Sequence, residues 1–317
     1  MQHHIRSLHH LTATVTDAQD DLDFYVGLLG YRLVKKTVNF DNHHVFHFYY
    51  GNERGTPGTI MTTFPYKGMG VRVGVQGAGQ VTITSFSVPA ASMDFWRARL
   101  RSHDVAVEER AAAFGEEVLF FRDPSGLGLQ LVGSGDDARE PWVPADSIGI
   151  ERGQALRGLH GVTLLVREPA TSIALLTEML NAQVTGEAGD ITRLGVGGAG
   201  AGHVVDLQRA GNAPAAVNGL GTVHHVAFAI DTEDEQLRLR EELIQRGLSV
   251  TEVRDREYFR SIYFREPNGV LYEVASMPPG FTVDEELEQL GQSLKLPPWE
   301  EPHRADIEAH LPRVIHP

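Results

Sequence analysis

REPNGVLYEVA at residues 265–275 aligns without a gap on RDPSGLGLQLV at residues 122–132. In each, an acidic residue before Pro, then a polar residue and Gly, marks a turn, and the alternating apolar residues that follow mark a strand. A match of that length within one chain points to an internal repeat. Upstream of the second copy, VHHVAFAIDT at 223–232 echoes LHHLTATVTD at 8–17. Extending from these anchors gives four units, each reading strand, helix, then three strands.

In the first unit a strand over 10–15 leads to Asp17, which caps a helix running to about residue 29. Gly30 ends that helix, and strands are expected over 31–39, 45–50 and 59–64. The fourth unit repeats the order: a strand over 225–230, Asp231 as cap, a helix over 233–246, Gly247, then strands over 249–254, 261–265 and 270–275. The second begins near Val81 with a helix over 92–102, and the third near His160 with a helix over 171–180. The chain is therefore expected to be α+β, with four βαβββ modules: an N-terminal domain over 1–133, a polar connector over 134–157 and a C-terminal domain over 158–277. An arm over 278–317 matches no module. It is expected to pack over a domain or to join a dimer contact.

Composition narrows the function. The chain has 317 residues, 42% of them hydrophobic, enough for a substantial core. It lacks an apolar run long enough to span a bilayer and a signal-peptide core, so a cytoplasmic protein with no membrane partner is expected. A net charge of −14 argues against a nucleic-acid partner. With no cysteine, thiolate metal sites and thiol nucleophiles are excluded, and any metal must sit on His, Asp or Glu.

The repeat also supplies an internal control. Side chains alternate faces along a strand, so only one histidine of each pair is expected on the cavity face. His10 and His225 share the same phase relative to the apolar run that follows. The last strand of unit four carries Glu273, costly to bury unless it is paired or on a metal. Unit two has Ile83, Phe120 and Gln130 where unit four has His225, Tyr263 and Glu273. In unit three Gly161 holds the ligand phase and Asp206 matches Glu273, which reads as a vacated site. Two His and one carboxylate suit a divalent metal with open positions, Fe(II) foremost and Mn(II) as well. The first unit offers Met61 or Thr62, no carboxylate, where a fourth ligand would stand. His43, His44 and His47 are expected to be cavity-wall or surface residues, and Phe48, Tyr258 and Phe259 are expected to join them in the pocket wall.

The paired modules resemble the vicinal oxygen chelate superfamily, which includes glyoxalase I, extradiol dioxygenases and fosfomycin-resistance proteins. SLHHLTATV, RGTPGTIMTTFP (54–65), YFRSIYFREPNGVLYE and the GFTVDEELEQLG tail are similar to the ring-cleaving dioxygenases that act on hydroquinones, nearly along the whole chain. The resemblance implies two vicinal-oxygen-chelate domains plus a C-terminal extension. It implies a metal, usually Fe(II), on His10, His225 and Glu273, built by module one against module four, with Tyr263 and Arg256 near the substrate and His9 as an acid–base group. The expected partners are a hydroquinone or catechol-like aromatic and O2, with a homo-oligomer possible. A glyoxalase- or fosfomycin-type isomerase or transferase and a non-catalytic binding protein are the other readings.

Overall fold

A computed structural model describes residues 5–110, 113–145 and 148–316. Module one contains β1 (Ile5–Val15), α1 (Ala18–Leu22) continuing as a π-helical turn over Asp23–Leu28, β2 (Arg32–Asn39), β3 (Asn42–Gly51) and β4 (Ile60–Pro65). Module two has β5 (Gln80–Pro89), α2 (Met93–Ser102), β6 (Glu108–Arg110), β7 (Val118–Arg122) and β8 (Gly128–Ser134). Module three has β9 (Gly158–Val166), α3 (Pro169–Met179), β10 (Ala182–Ala188), β11 (Ile191–Val196) and β12 (Val204–Arg209). Module four has β13 (Thr222–Ile230), α4 (Glu233–Gln245), β14 (Arg254–Asp255), β15 (Arg260–Arg265) and β16 (Leu271–Ser276). The arm carries short 3-10 turns and α5 (Arg304–His310). Two sheet-dominated βαβββ assemblies with few helices and a helical extension match the expected class.

Local signals account for most element ends. Asp17 accepts from the Gln19 and Asp20 amides at 2.8 and 3.1 Å, satisfying two free N–H groups at the start of α1. At α4 the cap is Thr232, whose hydroxyl accepts from Glu235 N at 3.2 Å, rather than Asp231. Asp231 is drawn instead to Arg6, whose Nε lies 2.7 and 2.8 Å from its two oxygens. The strand expected over 249–254 shrinks to the two residues of β14 plus a bridge between Val250 and Phe264.

The sheets group the modules across the chain. One eight-stranded sheet runs β14-β15-β16-β13-β1-β4-β3-β2, joining modules four and one, and the other runs β10-β11-β12-β9-β5-β8-β7-β6, joining three and two. Strand pairing therefore crosses between the chain-order halves 1–133 and 158–277 and sets module one against module four. The first strand of each module borders its sheet half and pairs antiparallel with its counterpart, β1 with β13 and β5 with β9. The two intermodule segments run against each other through bridges such as Val75 to Val217 and Ala78 to Ala215. Gly77 permits that approach: a Cβ there would stand 2.3 Å from Pro214 O. The buried core runs through both sheets, with Trp96, Phe86 and Phe228 among its largest side chains.

Candidate metal centre and active site

The register of β1 and β13 sets the site. His10 lies opposite Ala227 and Thr12 opposite His225, so both histidines project from one face of the shared sheet. The parallel pairing of Ala227 with Glu273 brings the carboxylate to that face, and Tyr263 sits beside Glu273 on β15. On the other side of the sheet's centre, Thr12 pairs with Thr62 on β4 and Thr62 with Tyr49 on β3. Thr62 thus occupies the position equivalent to Glu273, and Tyr49 that of Tyr263. The expected gap in the fourth-ligand position falls on Thr62; Met61 is wholly buried in the core.

Three donor atoms converge. His225 Nε2 lies 2.8 Å from Glu273 Oε2, His10 Nε2 lies 3.4 Å from the same oxygen, and the two Nε2 atoms are 3.3 Å apart. All three residues are buried. Glu273 Oε1 accepts from the Ser261 hydroxyl, whereas Oε2 is buried without a hydrogen bond. Burial alone would raise the Glu273 pKa, but His10 and His225 outweigh it and hold the carboxyl well below the usual range. Burial lowers the His225 pKa, against the opposing pull of Glu273. Cis ligands about 2.1 Å from an octahedral ion stand about 3 Å apart, so the donor set and its spacing fit one divalent metal.

The leading histidines owe their placement to β-bulges. Between Leu8 and His10, β1 advances two residues while β13 advances one, and the reverse occurs around His224. Each bulge brings a pair together, with His9 Nδ1 2.8 Å from His10 Nδ1 and His224 Nδ1 2.8 Å from His225 Nδ1. His224 therefore lines the cavity beside His225, contrary to strict alternation. His9 does not line it: the side chain is buried against His10 and Phe259. Burial first, then His10, lowers its pKa to about 3.

The cavity holds about 220 Å³ and opens over the triad. Tyr49, Phe64, Tyr66 and Phe259 give it aromatic walls, and Asn39, Phe40 and Asp41 of the β2–β3 turn form part of its lining. These residues carried no sequence signal because a turn joining neighbouring strands declares no direction. Arg256 donates from Nε to the Tyr263 hydroxyl at 3.0 Å and from a terminal nitrogen to Asp41 at 3.1 Å. Its turn closes through Glu257 at φ +64°, a left-handed conformation uncommon for a side-chain-bearing residue. His47 lines the cavity and bonds the Thr62 hydroxyl at 2.9 Å, itself 2.8 Å from Thr12. Of the other expected wall residues, Phe259 lines the cavity. Phe48 and Tyr258 face the core, and His43 and His44 contact the arm through Glu300 and Asp306.

The second sheet carries the control. Ser85 pairs with Gln130 and Phe120 with Gln130, placing Ile83, Phe120 and Gln130 at the positions of His225, Tyr263 and Glu273. At the Gly161 position a Cβ would stand 2.6 Å from Val204 Cβ, and Asp206 is neutralised by Arg193 at 2.8 Å. A larger cavity of about 700 Å³ lies between the first module's helical turn and the β6–β7 edge, but brings no such donor triad together among the described residues.

Comparison with known proteins supplies the family. The Glyoxalase/Bleomycin resistance protein/Dioxygenase superfamily model matches residues 7–131 and 158–274. The chain is 43% identical over 311 residues to the "Putative ring-cleaving dioxygenase MhqE" of Bacillus subtilis, covering 97% of this chain and 98% of that one. It is 37% identical over 305 residues to the chlorohydroquinone/hydroquinone 1,2-dioxygenase of Sphingobium indicum, covering 93% and 92%. The crystal structure of a "putative dioxygenase" from Bacillus subtilis superposes with a TM-score of 0.94 at 39% identity, covering 100% of this chain and 99% of that one. Four repeated modules, a shared central sheet and matches spanning both halves lead to one assignment: the chain belongs to the glyoxalase, bleomycin-resistance and dioxygenase superfamily.

Proposed function

We propose that the protein is a metal-dependent dioxygenase that opens a hydroquinone or catechol-like ring with O2. The observation that carries the reading is the convergence of His10, His225 and Glu273 on one sheet face, with Thr62 where a fourth ligand would complete a closed set. Three protein ligands leave open positions for two reactants, whereas glyoxalase-type isomerases use four. The relatives named as ring-cleaving and hydroquinone dioxygenases support the same choice. Fe(II) is the metal we assign, with Mn(II) compatible with the same donors.

When bound, such an ion supplies a Lewis acid for substrate oxygen and a redox centre for dioxygen. His10, His225 and Glu273 would hold it, and with each ligating Nε2 free of its proton the Nδ1–H of His10 and His225 would donate to His9 and His224 respectively. In this reading His9 orients a ligand rather than moving substrate protons. Burial, then Glu273, pushes the Tyr263 pKa up, so its phenol stays protonated. The phenol oxygen accepts from Arg256, which leaves the O–H free to donate to a substrate oxygen. Arg256 remains cationic beside Asp41 and stabilises phenolate charge. Burial, then His10, keeps His47 well below its ordinary pKa, so it stands at the cavity wall as a neutral ring bonded to the Thr62 hydroxyl. The aromatic walls offer faces against which a single planar ring can pack.

The Glu273→Gln variant tests the assignment. Bound iron measured by elemental analysis and oxygen uptake with hydroquinone are both expected to fall to background. Full activity with intact metal content would overturn it.

A further inference from the structure

A second set of ligating side chains gathers where the arm crosses the β2–β3 hairpin. One ring nitrogen from each of His43 and His44 and one carboxylate oxygen of Asp306 lie within 4.8 Å of one another. The β2–β3 ladder slips between Val38 and Asn39, and beyond that irregularity the two adjacent rings sit with centroids 4.6 Å apart. His44 Nε2 is 2.7 Å from Asp306 Oδ2. His43 Nδ1 is 2.8 Å from Glu300 Oε2. A carboxylate at Nδ1 fixes the Nδ1–H tautomer and leaves Nε2 its lone pair, the pairing that orients metal-ligating histidines. The neighbourhood is imidazole-rich beyond the three donors: His310 stacks on His44 at 4.1 Å and His303 lies 5.6 Å from His43.

We propose that His43, His44 and Asp306 form a second divalent-metal site, of the zinc class, that clamps α5 onto β3. Two imidazoles and a carboxylate without thiolate are a donor set zinc accepts, and the part-exposed position leaves room for water to complete four-coordination. The clamp answers a weakness in the arm. α5 has seven residues and buries only Ile307, too little apolar surface to hold a short helix firmly. The tie also reaches the cavity, because Phe40 in the same hairpin turn packs on Trp299 of the arm and Asp41 holds Arg256. Occupancy at this site therefore steadies one rim of the active cavity without contributing to the buried triad.

Zinc titration of the metal-stripped full-length protein, read by equilibrium dialysis and elemental analysis, tests this. The parent is expected to take up two equivalents. Glu273→Gln, His44→Gln and Asp306→Asn should each retain one, and the Glu273→Gln/Asp306→Asn double variant none. Glu300→Gln should weaken the second site about 10- to 100-fold. Zinc should also protect the arm from limited proteolysis in Glu273→Gln and not in Asp306→Asn, separating this site from the buried one. A single equivalent in the parent, or an unchanged stoichiometry in both His44→Gln and Asp306→Asn, overturns the proposal.

Discussion

Glu273 divides its two oxygens between tasks: Oε1 is fixed by Ser261 and Oε2 faces His10 and His225. Replacing Ser261 by Ala removes the orienting bond while leaving every proposed ligand, so iron affinity should fall about 10- to 100-fold in dialysis measurements. Tyr263 is open to a cleaner test, because Phe120 fills the equivalent position in module two and shows that the scaffold accepts a plain ring there. Tyr263→Phe should lower kcat by about 10²- to 10³-fold with metal content unchanged. Equal loss of metal would assign Tyr263 to holding the site together. Glu273 and Tyr263 were legible in the sequence because a gapless sibling module carries Gln130 and Phe120 at the same phase, whereas the part of Ser261 emerged only from its bond to Glu273. The orientation of His9 and His224 was not legible either, since a bulge is set by pairing across two strands and leaves no mark in residue type.

At the scale of elements, the bulged central pair is a property of the fold. The β5–β9 ladder slips at the corresponding places, around Thr82 and His160, although its ligand positions hold Ile83 and Gly161. The helical segment of module one adds a buried carboxyl, Asp21, which accepts from Tyr50 at 2.6 Å and from Thr63. Burial raises its pKa to about 8 despite those donors. The folded state then binds a proton that the unfolded chain, with a pKa of about 3.9, has lost, so this group's contribution to stability falls as pH rises from about 4 to 8. Asp21→Asn should remove that part of the slope, seen by comparing urea midpoints of parent and variant at pH 5 and pH 8. An identical difference at both pH values would contradict the assignment. Helix limits and caps were mostly readable locally. Thr232 displaced Asp231 as a cap because Arg6, far away in sequence, claims that aspartate.

For the whole molecule, the pairing of module one with module four joins two histidines 215 positions apart into one site. The module count was visible in the repeat, whereas the grouping of modules into sheets depends on strand contacts across some two hundred residues, which no local pattern encodes. The arm completes the assembly from behind the cavity. Phe281 packs on Tyr49 and Tyr258 at 5.1 and 5.0 Å, and Lys35, wholly buried, lies 2.5 Å from both Asp284 and Glu285. Phe281→Ala should cost about 3–5 kcal/mol in stability and raise KM, because Tyr49 also lines the cavity. Among the described residues no helix is long and apolar enough to cross a membrane. The central claim concerns what the joined site does, and oxygen labelling reaches it directly. Protein reconstituted anaerobically with Fe(II) and mixed with hydroquinone under ¹⁸O₂ should give a ring-opened product carrying both labelled atoms, observed by mass spectrometry. An unopened ring, or consumption of substrate without label in the product, would contradict the account.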